Sequence, residues 1–409
     1  MGNKNDISNL NSVELVHLLG AGWNLGNTLD AHWNALPEKE MKTTSDQETF
    51  WGNPVTTKAM IEKVKAFGFN TIRVPVTWYM FTGPGPEYKI AGSWMDRVQE
   101  VVDYVIDSGM FCILNTHHDD YQRGSGWEIG WLRLYYTEGF DRQPVSTGRA
   151  LNASEKAVIN DRVARIWEQI AERFRDYDEY LIFEGLNEPR TTGFNGNTKE
   201  VWAEQCNFLN TLNQTYVDTV RASGGKNAYR HLMVTPFFAS VGMDPNDGEG
   251  RIGLFVDREN RRLRINDQCG RLIASLHYYE PWGFASAPRD SQYFSDTFDL
   301  NKSVVSGNIS NVLKIINDNF IAFGIPVVMG ETGAVRRQDL DNPERRVENH
   351  EAERVKWAGY YISKLKELGV PSVIWDDGGA FRLFDRRNLG WFYPDLAAAL
   401  VEASKTPIK

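Results

Sequence analysis

The chain has 409 residues, 42% of them hydrophobic and 24% charged, and a formal net charge of −9 from 45 basic and 54 acidic side chains. That balance argues against a nucleic-acid backbone or an anionic membrane surface as partner, and no apolar run approaches the roughly 20 residues of a membrane span. Cys112, Cys206 and Cys269 are too few and too widely spaced for a disulfide framework or a metal-ligand pattern.

In chain order, eight short apolar runs read as strands: 22–26, 71–76, 111–116, 180–185, 231–236, 272–276, 326–329 and 372–375. Most are continuous rather than alternating, as expected where both faces of a parallel strand are covered. Cys112 falls inside the third run and reads as core packing. Amphipathic stretches lie between them. The segment 55–67 carries Met60, Ile61, Val64 and Phe67 on one face and stops at Gly68, while 94–107 carries Val98, Val101, Val102, Val105 and Ile106 and stops near Gly109. Segments 154–174, 201–222, 304–323 and 351–368 repeat the pattern. The connection 242–266 is rich in Asp, Gly and Arg and reads as a hairpin or a loop with weak helix. Strands alternating with helices over this length predict a (β/α)8 TIM barrel. With no linker or repeated module, 1–409 reads as one catalytic barrel with a core over about 14–404.

In such barrels the chemistry sits at the carboxyl ends of the strands. The residues there are Asn27, Arg73, His117 and His118, Asn187 and Glu188, His277 and Tyr279, Glu331, and Trp375 with Asp376 and Asp377. Glu188 and Glu331 follow the fourth and seventh runs, so both can face one substrate. Cleavage of a glycosidic bond needs two such carboxyl groups, one protonated with a raised pKa and one ionised. Arg73 is placed to hold Glu331 ionised. His277 and Tyr279 lie two residues apart on one strand face and can point at one centre. His117 and His118 fit hydrogen bonding to sugar hydroxyls better than metal ligation, since matching ligands at neighbouring strand ends are lacking. Aromatic rings stack on pyranose faces, and the 13 tryptophans exceed what folding needs. Trp375 is placed as a floor beneath a sugar, and Trp33, Trp127, Trp131 and Trp282 fall in loops on the same face. Trp167, Trp202 and Trp357 fall in helical patterns and read as core. Gly83-Pro-Gly-Pro is a turn rather than a phosphate cradle, and neither Gly-x-Ser-x-Gly nor His-Glu-x-x-His occurs.

These motifs taken together resemble glycoside hydrolase family 5, the cellulase-type barrels of clan A. They are Gly22-Trp-Asn-Leu-Gly-Asn-Thr, Ile72-Arg-Val-Pro-Val, Asn115-Thr-His-His-Asp, Phe183-Glu-Gly-Leu-Asn-Glu-Pro-Arg, Ser275-Leu-His-Tyr-Tyr-Glu-Pro and Met329-Gly-Glu. With Trp51-Gly-Asn-Pro, the sequence looks like subfamily 4, which holds endo-β-1,4-glucanases, xyloglucanases and lichenases. The resemblance implies a retaining mechanism, with Glu188 as acid/base, Glu331 as nucleophile and their carboxyl groups about 5–5.5 Å apart. It implies that Asn187 holds the 2-hydroxyl, that Arg73, His277 and Tyr279 order the two carboxylates, and that His117, His118 and Trp375 bind sugar; Asn27 and Asp377, by their place at strand ends, and Trp33, Trp127 and Trp282, by their place in loops, are further expected sugar-binding residues. Ile374 and Asp377 stand where that subfamily commonly carries Trp and Asn. The expected activity is an endo-β-1,4-glucanase on cellulose-like and mixed-linkage β-glucans, or a xyloglucan- or mannan-preferring enzyme on the same barrel. No metal or organic cofactor is implied, and a monomer is expected. The first residues lack the apolar core of a signal peptide. Because a polymer cannot enter a cell, extracellular action is expected, through a leader absent from this sequence.

Overall fold

The computed structural model describes residues 7–32, 43–122, 131–137, 148–191, 198–244, 246, 250–337 and 350–409. Eight parallel strands close into a barrel: β1 (Gly22–Asn24), β2 (Thr71–Val74), β3 (Phe111–Asn115), β4 (Leu181–Glu184), β5 (Leu232–Val234), β6 (Leu272–His277), β7 (Val327–Thr332) and β8 (Ser372–Ile374). Each pairs with its sequence neighbours, and β8 returns to β1 with Gly22 opposite Val373. The strands are short and almost wholly buried, which is why their sequences read as continuous apolar runs.

Alternation along the strands divides the core. Ile113, Ile182, Met233, Ile273, Val328 and Val373 point into the barrel. Cys112, Leu114, Leu181, Phe183, Leu232, Val234 and Met329 pack outward under the helices. The inward cluster is completed by Leu15, Val16 and Leu19 from an N-terminal helix, Ser12–Leu18. That helix starts at a reciprocal Asn11–Glu14 cap and is pinned below β5 by a 2.8 Å bond between Ser12 Oγ and His231 Nδ1. It therefore plugs the face opposite the site.

The surrounding helices are α1 (Lys58–Phe67), α2 (Gly92–Asp107), α3 (Ala153–Arg173), α4 (Lys199–Ala222), α5 (Arg251–Phe255), α6 (Ser303–Asn319), α7 and α8 (Pro394–Ala403). Helix α7 runs from His350–Trp357 through a π-helical turn, Ala358–Ile362, to Ser363–Glu367. Thr57 caps α1, and Gly68, the stop expected from sequence, ends it at φ 119° in the left-handed region. Between β5 and β6 both readings of 242–266 hold: the five-residue α5 is followed by a small hairpin pairing Val256 with Leu263. The N-terminal helix and α8 were not predicted. Trp167 and Trp357 are buried as expected, whereas Trp202 is only half-buried, beneath the Arg251 guanidinium. Among the described residues no helix is long and apolar enough to cross a membrane.

Candidate active site

Strand register brings the polar groups together before any loop is considered. Asn24 lies beside Arg73, Asn115 beside Glu184, and His277 beside Glu331. The last pairing follows an irregularity between Leu276 and His277, and a second separates Met329 from Thr332. Such bulges re-aim side chains at strand ends. Two glycines make the room. A Cβ on Gly330 would lie 2.9 Å from both His277 Nε2 and Ser275 Oγ, and one on Gly26 would lie 2.8 Å from the Trp375 ring.

Arg73 is the hub. It is fully buried, and its Nη1 donates to Glu331 Oε1 at 2.8 Å and to Asn24 Oδ1 at 3.0 Å. Nη2 donates to Asn187 Oδ1 at 2.7 Å and Nε to Glu184 Oε2 at 2.7 Å. Tyr279 Oη donates to Glu331 Oε2 at 3.0 Å. Glu331 is thus held by a cation and a phenol, the donors expected around a carboxylate kept ionised. Burial, then the charges of Glu331 and Glu188, push the Tyr279 phenol far up, so it serves as a proton-bearing donor.

Glu188 faces this group. Its Oε1 receives the His277 Nδ1 hydrogen bond at 3.0 Å and its Oε2 receives Arg190 Nη1 at 2.6 Å. One carboxylate oxygen from each of Glu188 and Glu331 lie within 4.8 Å of each other. Burial alone would push the Glu188 carboxyl up, but the His277 hydrogen bond and the Arg190 charge override it and hold it below its ordinary value. The raised pKa expected from the sequence for a proton-donating carboxyl is therefore not found at Glu188. The His277 hydrogen bond is the larger cause, and Arg190, two residues along with its guanidinium backed by the Phe238 ring 4.0 Å away, adds to it.

On the other flank, Trp375 and His117 lie parallel, with ring centroids 5.8 Å apart at 3°. His118 packs against His117, His32 and Trp51. Buried Asp30 lies 4.0 Å from Nε2 of both His117 and His118, and burial pushes its carboxyl up to about 7 despite N–H donors from Thr28 and Asn27. Burial, followed by neighbouring positive groups, holds His117 well below its ordinary value, and so neutral.

Among the described residues, two trios have donor atoms close enough to hold an ion: Asp30 with His117 and His118, and Glu188 with His277 and Glu331. Their hydrogen bonding does not suit one. A metal-ligating imidazole donates its remote N–H to an acceptor. His117 Nδ1 instead meets the Asn115 amide nitrogen at 3.2 Å. That amide is oriented by the Val76 N–H on its oxygen and by Glu184 on its nitrogen. Hence His117 accepts at Nδ1 and carries its proton on Nε2, the position a metal would need. His277 Nδ1 is likewise committed to Glu188. Both imidazoles are built as hydrogen-bond donors.

The remaining predicted residues scatter. Asn27 sits at φ 56°, with its backbone held by Asp30 and Asn53. Asp377 spends Oδ1 on the backbone N–H groups of Gly379 and Phe381, closing its own turn. Trp282, expected in a loop, instead begins a four-residue helix after β6, Trp282–Ala285, and is exposed beside Tyr293. Trp131 donates to Asp119 and carries Arg162 over its ring, which is packing rather than a free face. Trp33 and Trp127 lie outside the described residues. Sequence reading gave no role to Glu184, Asn24, Asn115, Ser275, Arg190, Asp30 or Trp51. For Glu184 the signal was present, since it closes an apolar run as Glu331 does.

A closed parallel barrel with two carboxylates facing each other at its strand ends is the arrangement of a glycoside hydrolase. A family profile described as Cellulase (glycosyl hydrolase family 5) matches residues 31–380. Endoglucanase B of Neocallimastix patriciarum is 37% identical over 414 residues, covering 98% of this chain and 74% of its own length. The structure is similar to a GH5-4 broad specificity endoglucanase from Ruminococcus champanellensis with bound cellotriose, at 37% identity and TM-score 0.76 over 96% of this chain and 98% of that one. It is also similar to a GH5 family lichenase from Caldicellulosiruptor sp. F32, at 31% identity and TM-score 0.78 over 97% and 96% of the two chains. The chain belongs to glycosyl hydrolase family 5, the cellulase family.

Proposed function

We propose that the protein is a retaining endo-β-1,4-glucanase acting on cellulose-like and mixed-linkage β-glucans, with Glu331 as nucleophile and Glu188 as acid/base. The observation that carries this reading is the facing of the two carboxylates, with oxygens within 4.8 Å. An inverting enzyme needs about 6.5–9.5 Å to seat a water between them. In the first step Glu331 forms a bond to the anomeric carbon while the glycosidic C–O bond breaks, and the Glu188 proton goes to the departing oxygen. In the second, water adds to the anomeric carbon, its proton passes to Glu188, and the ester to Glu331 breaks.

The protonation of Glu188 follows the charge on Glu331. A sugar seated between them expels water and leaves Glu188 less screened from the Glu331 anion, which favours the protonated acid. Once Glu331 is esterified that charge is gone, and Arg190 and His277 return Glu188 to the ionised form that activates water. Asn187, fixed by Arg73, is placed for the 2-hydroxyl, and the His117 Nε2–H and the Trp375 ring for the same sugar. Action outside the cell, as a monomer, accompanies this reading.

Reducing-sugar release from carboxymethylcellulose, barley β-glucan, xyloglucan, glucomannan and xylan tests the proposal. Activity on the first two, lost by about 10³-fold or more in Glu188→Gln and Glu331→Gln with oligosaccharide binding retained, is expected. Dominant xyloglucan or glucomannan hydrolysis would overturn the substrate and keep the machinery. Silence on every polymer would overturn the enzyme reading.

A further inference from the structure

Behind the proposed catalytic pair the barrel buries a third carboxylate that touches no substrate. Glu184 closes β4 and is fully buried. Its Oε2 accepts from Arg73 Nε at 2.7 Å and from Asn115 Nδ2 at 2.9 Å, and its Oε1 accepts from Ser275 Oγ at 2.5 Å. Arg73 therefore serves two buried carboxylates with one positive charge, and the group Glu184–Arg73–Glu331 carries a net negative charge. Buried charge is costly unless it is paired, and a neutral side chain could make the same contacts. A glutamine at 184 would accept from Arg73 and Asn115 through its oxygen and donate to Ser275 Oγ through its nitrogen. The shape of the site does not require the charge.

We propose that Glu184 is a positioning residue whose negative charge divides the pull of Arg73, so that Glu331 stays fixed in place yet electron-rich enough to attack. The same carboxylate orients the Asn115 amide, and through it the His117 tautomer that turns Nε2–H toward the sugar. The inference rests on the assignment of Glu331 as nucleophile. The other titratable groups around the pair are His117 after β3, Glu188 and Arg190 after β4, Tyr216 of α4, His277 of β6 and Tyr279 just after it. Tyr216 is pushed far up, by burial first, and stays neutral. Among the described residues, Glu184 forms an ion pair with Arg73 alone.

Glu184→Gln isolates the charge. The substrate of choice is 2,4-dinitrophenyl β-cellobioside, whose leaving group departs without a proton and so reports the attack by Glu331. The expected result is a kcat/KM lower by about 10-fold or more. The acid limb of kcat/KM should move to lower pH by about one unit, because one negative charge near the essential base is gone. The thermal midpoint should stay within about 2 °C of the parent. Glu184→Asp, which keeps the charge, should return the acid limb toward its parental position. If Glu184→Gln does not fold, Ser275→Ala reads the same coupling in the opposite sense: stripping Oε1 of its donor should move the acid limb to higher pH.

An acid limb that stays in place in these variants, or one lost only in proportion to stability and binding, would overturn the proposal and leave Glu184 a structural residue. A parent chain inert toward the cellobioside, or a Glu331→Gln variant as active as the parent, would overturn the nucleophile assignment and the proposal with it.

Discussion

Glu188 is held between a histidine and an arginine, and its two partners were unequally readable. His277 was legible from its place at a strand end; Tyr279, expected two residues on along the same strand, lies just past the end of β6 yet still reaches Glu331. Arg190 was not, because nothing in Asn187-Glu-Pro-Arg says whether the chain turns back after Pro189. It runs on as a short strand, Arg190–Thr191, and only the side chain reaches back, with Arg190 Nη1 2.6 Å from Glu188 Oε2. The consequence is testable in pH. Arg190 stabilises the charged form of Glu188 and so lowers the pH at which the acid loses its proton. Removing it in Arg190→Ala raises that pH, so the protonated acid persists further into the alkaline range. The alkaline limb of kcat/KM should rise by about one unit. A limb that stays put or falls would show that Arg190 does not set the acid's protonation.

Among elements, β7 couples backbone to chemistry most tightly. Its inward residues are small or branched until Gly330, and then Glu331 turns into the site beside His277 of β6. The absence of a side chain at 330 is what lets His277 pass behind Glu331 to reach Glu188. In Gly330→Ala the new methyl would sit 2.9 Å from His277 Nε2 and Ser275 Oγ. Since those two groups belong to a packed strand, the imidazole must move. Activity is expected to fall by roughly 10- to 100-fold, with a stability loss of about 1–3 kcal/mol from overpacking. Assays of kcat and a denaturant titration would check both, and parental values would refute the close contact. The eight strands were legible because burial on both faces writes itself as an apolar run. The helix Ser12–Leu18 was not, because seven residues give under two turns of periodicity and its apolar face meets a barrel interior that sequence alone does not display. Helix α8 escaped for a similar reason: Leu396, Ala397, Leu400 and Val401 lie in an alanine-rich stretch with little contrast between its faces.

At the scale of the whole molecule, closure depends on elements from opposite ends of the chain. Trp391, in the hairpin after β8, stacks on Phe69 just before β2, at 5.5 Å and 8°, and also meets Phe67 and Phe384. Trp391→Ala should cost about 3 kcal/mol and lower the thermal midpoint by several degrees. An unchanged midpoint would mean that the aromatic cluster contributes little to closure. The barrel and its paired carboxylates could be read before any coordinates because each rests on local rules, strand burial and strand-end polarity. The Arg73 network could not, since it depends on which strands become neighbours across the ring.

That network also sets when the molecule can act. Arg73 leaves β2 and meets Asn24 of β1, Glu184 and Asn187 at the end of β4, and Glu331 of β7. No stretch of chain that stops short of β7 contains both proposed catalytic carboxylates. A chain growing from its N-terminus stays inert through most of its synthesis, and so does one clipped before β7. Hydrolytic competence arrives only when the seventh strand slots beside the sixth.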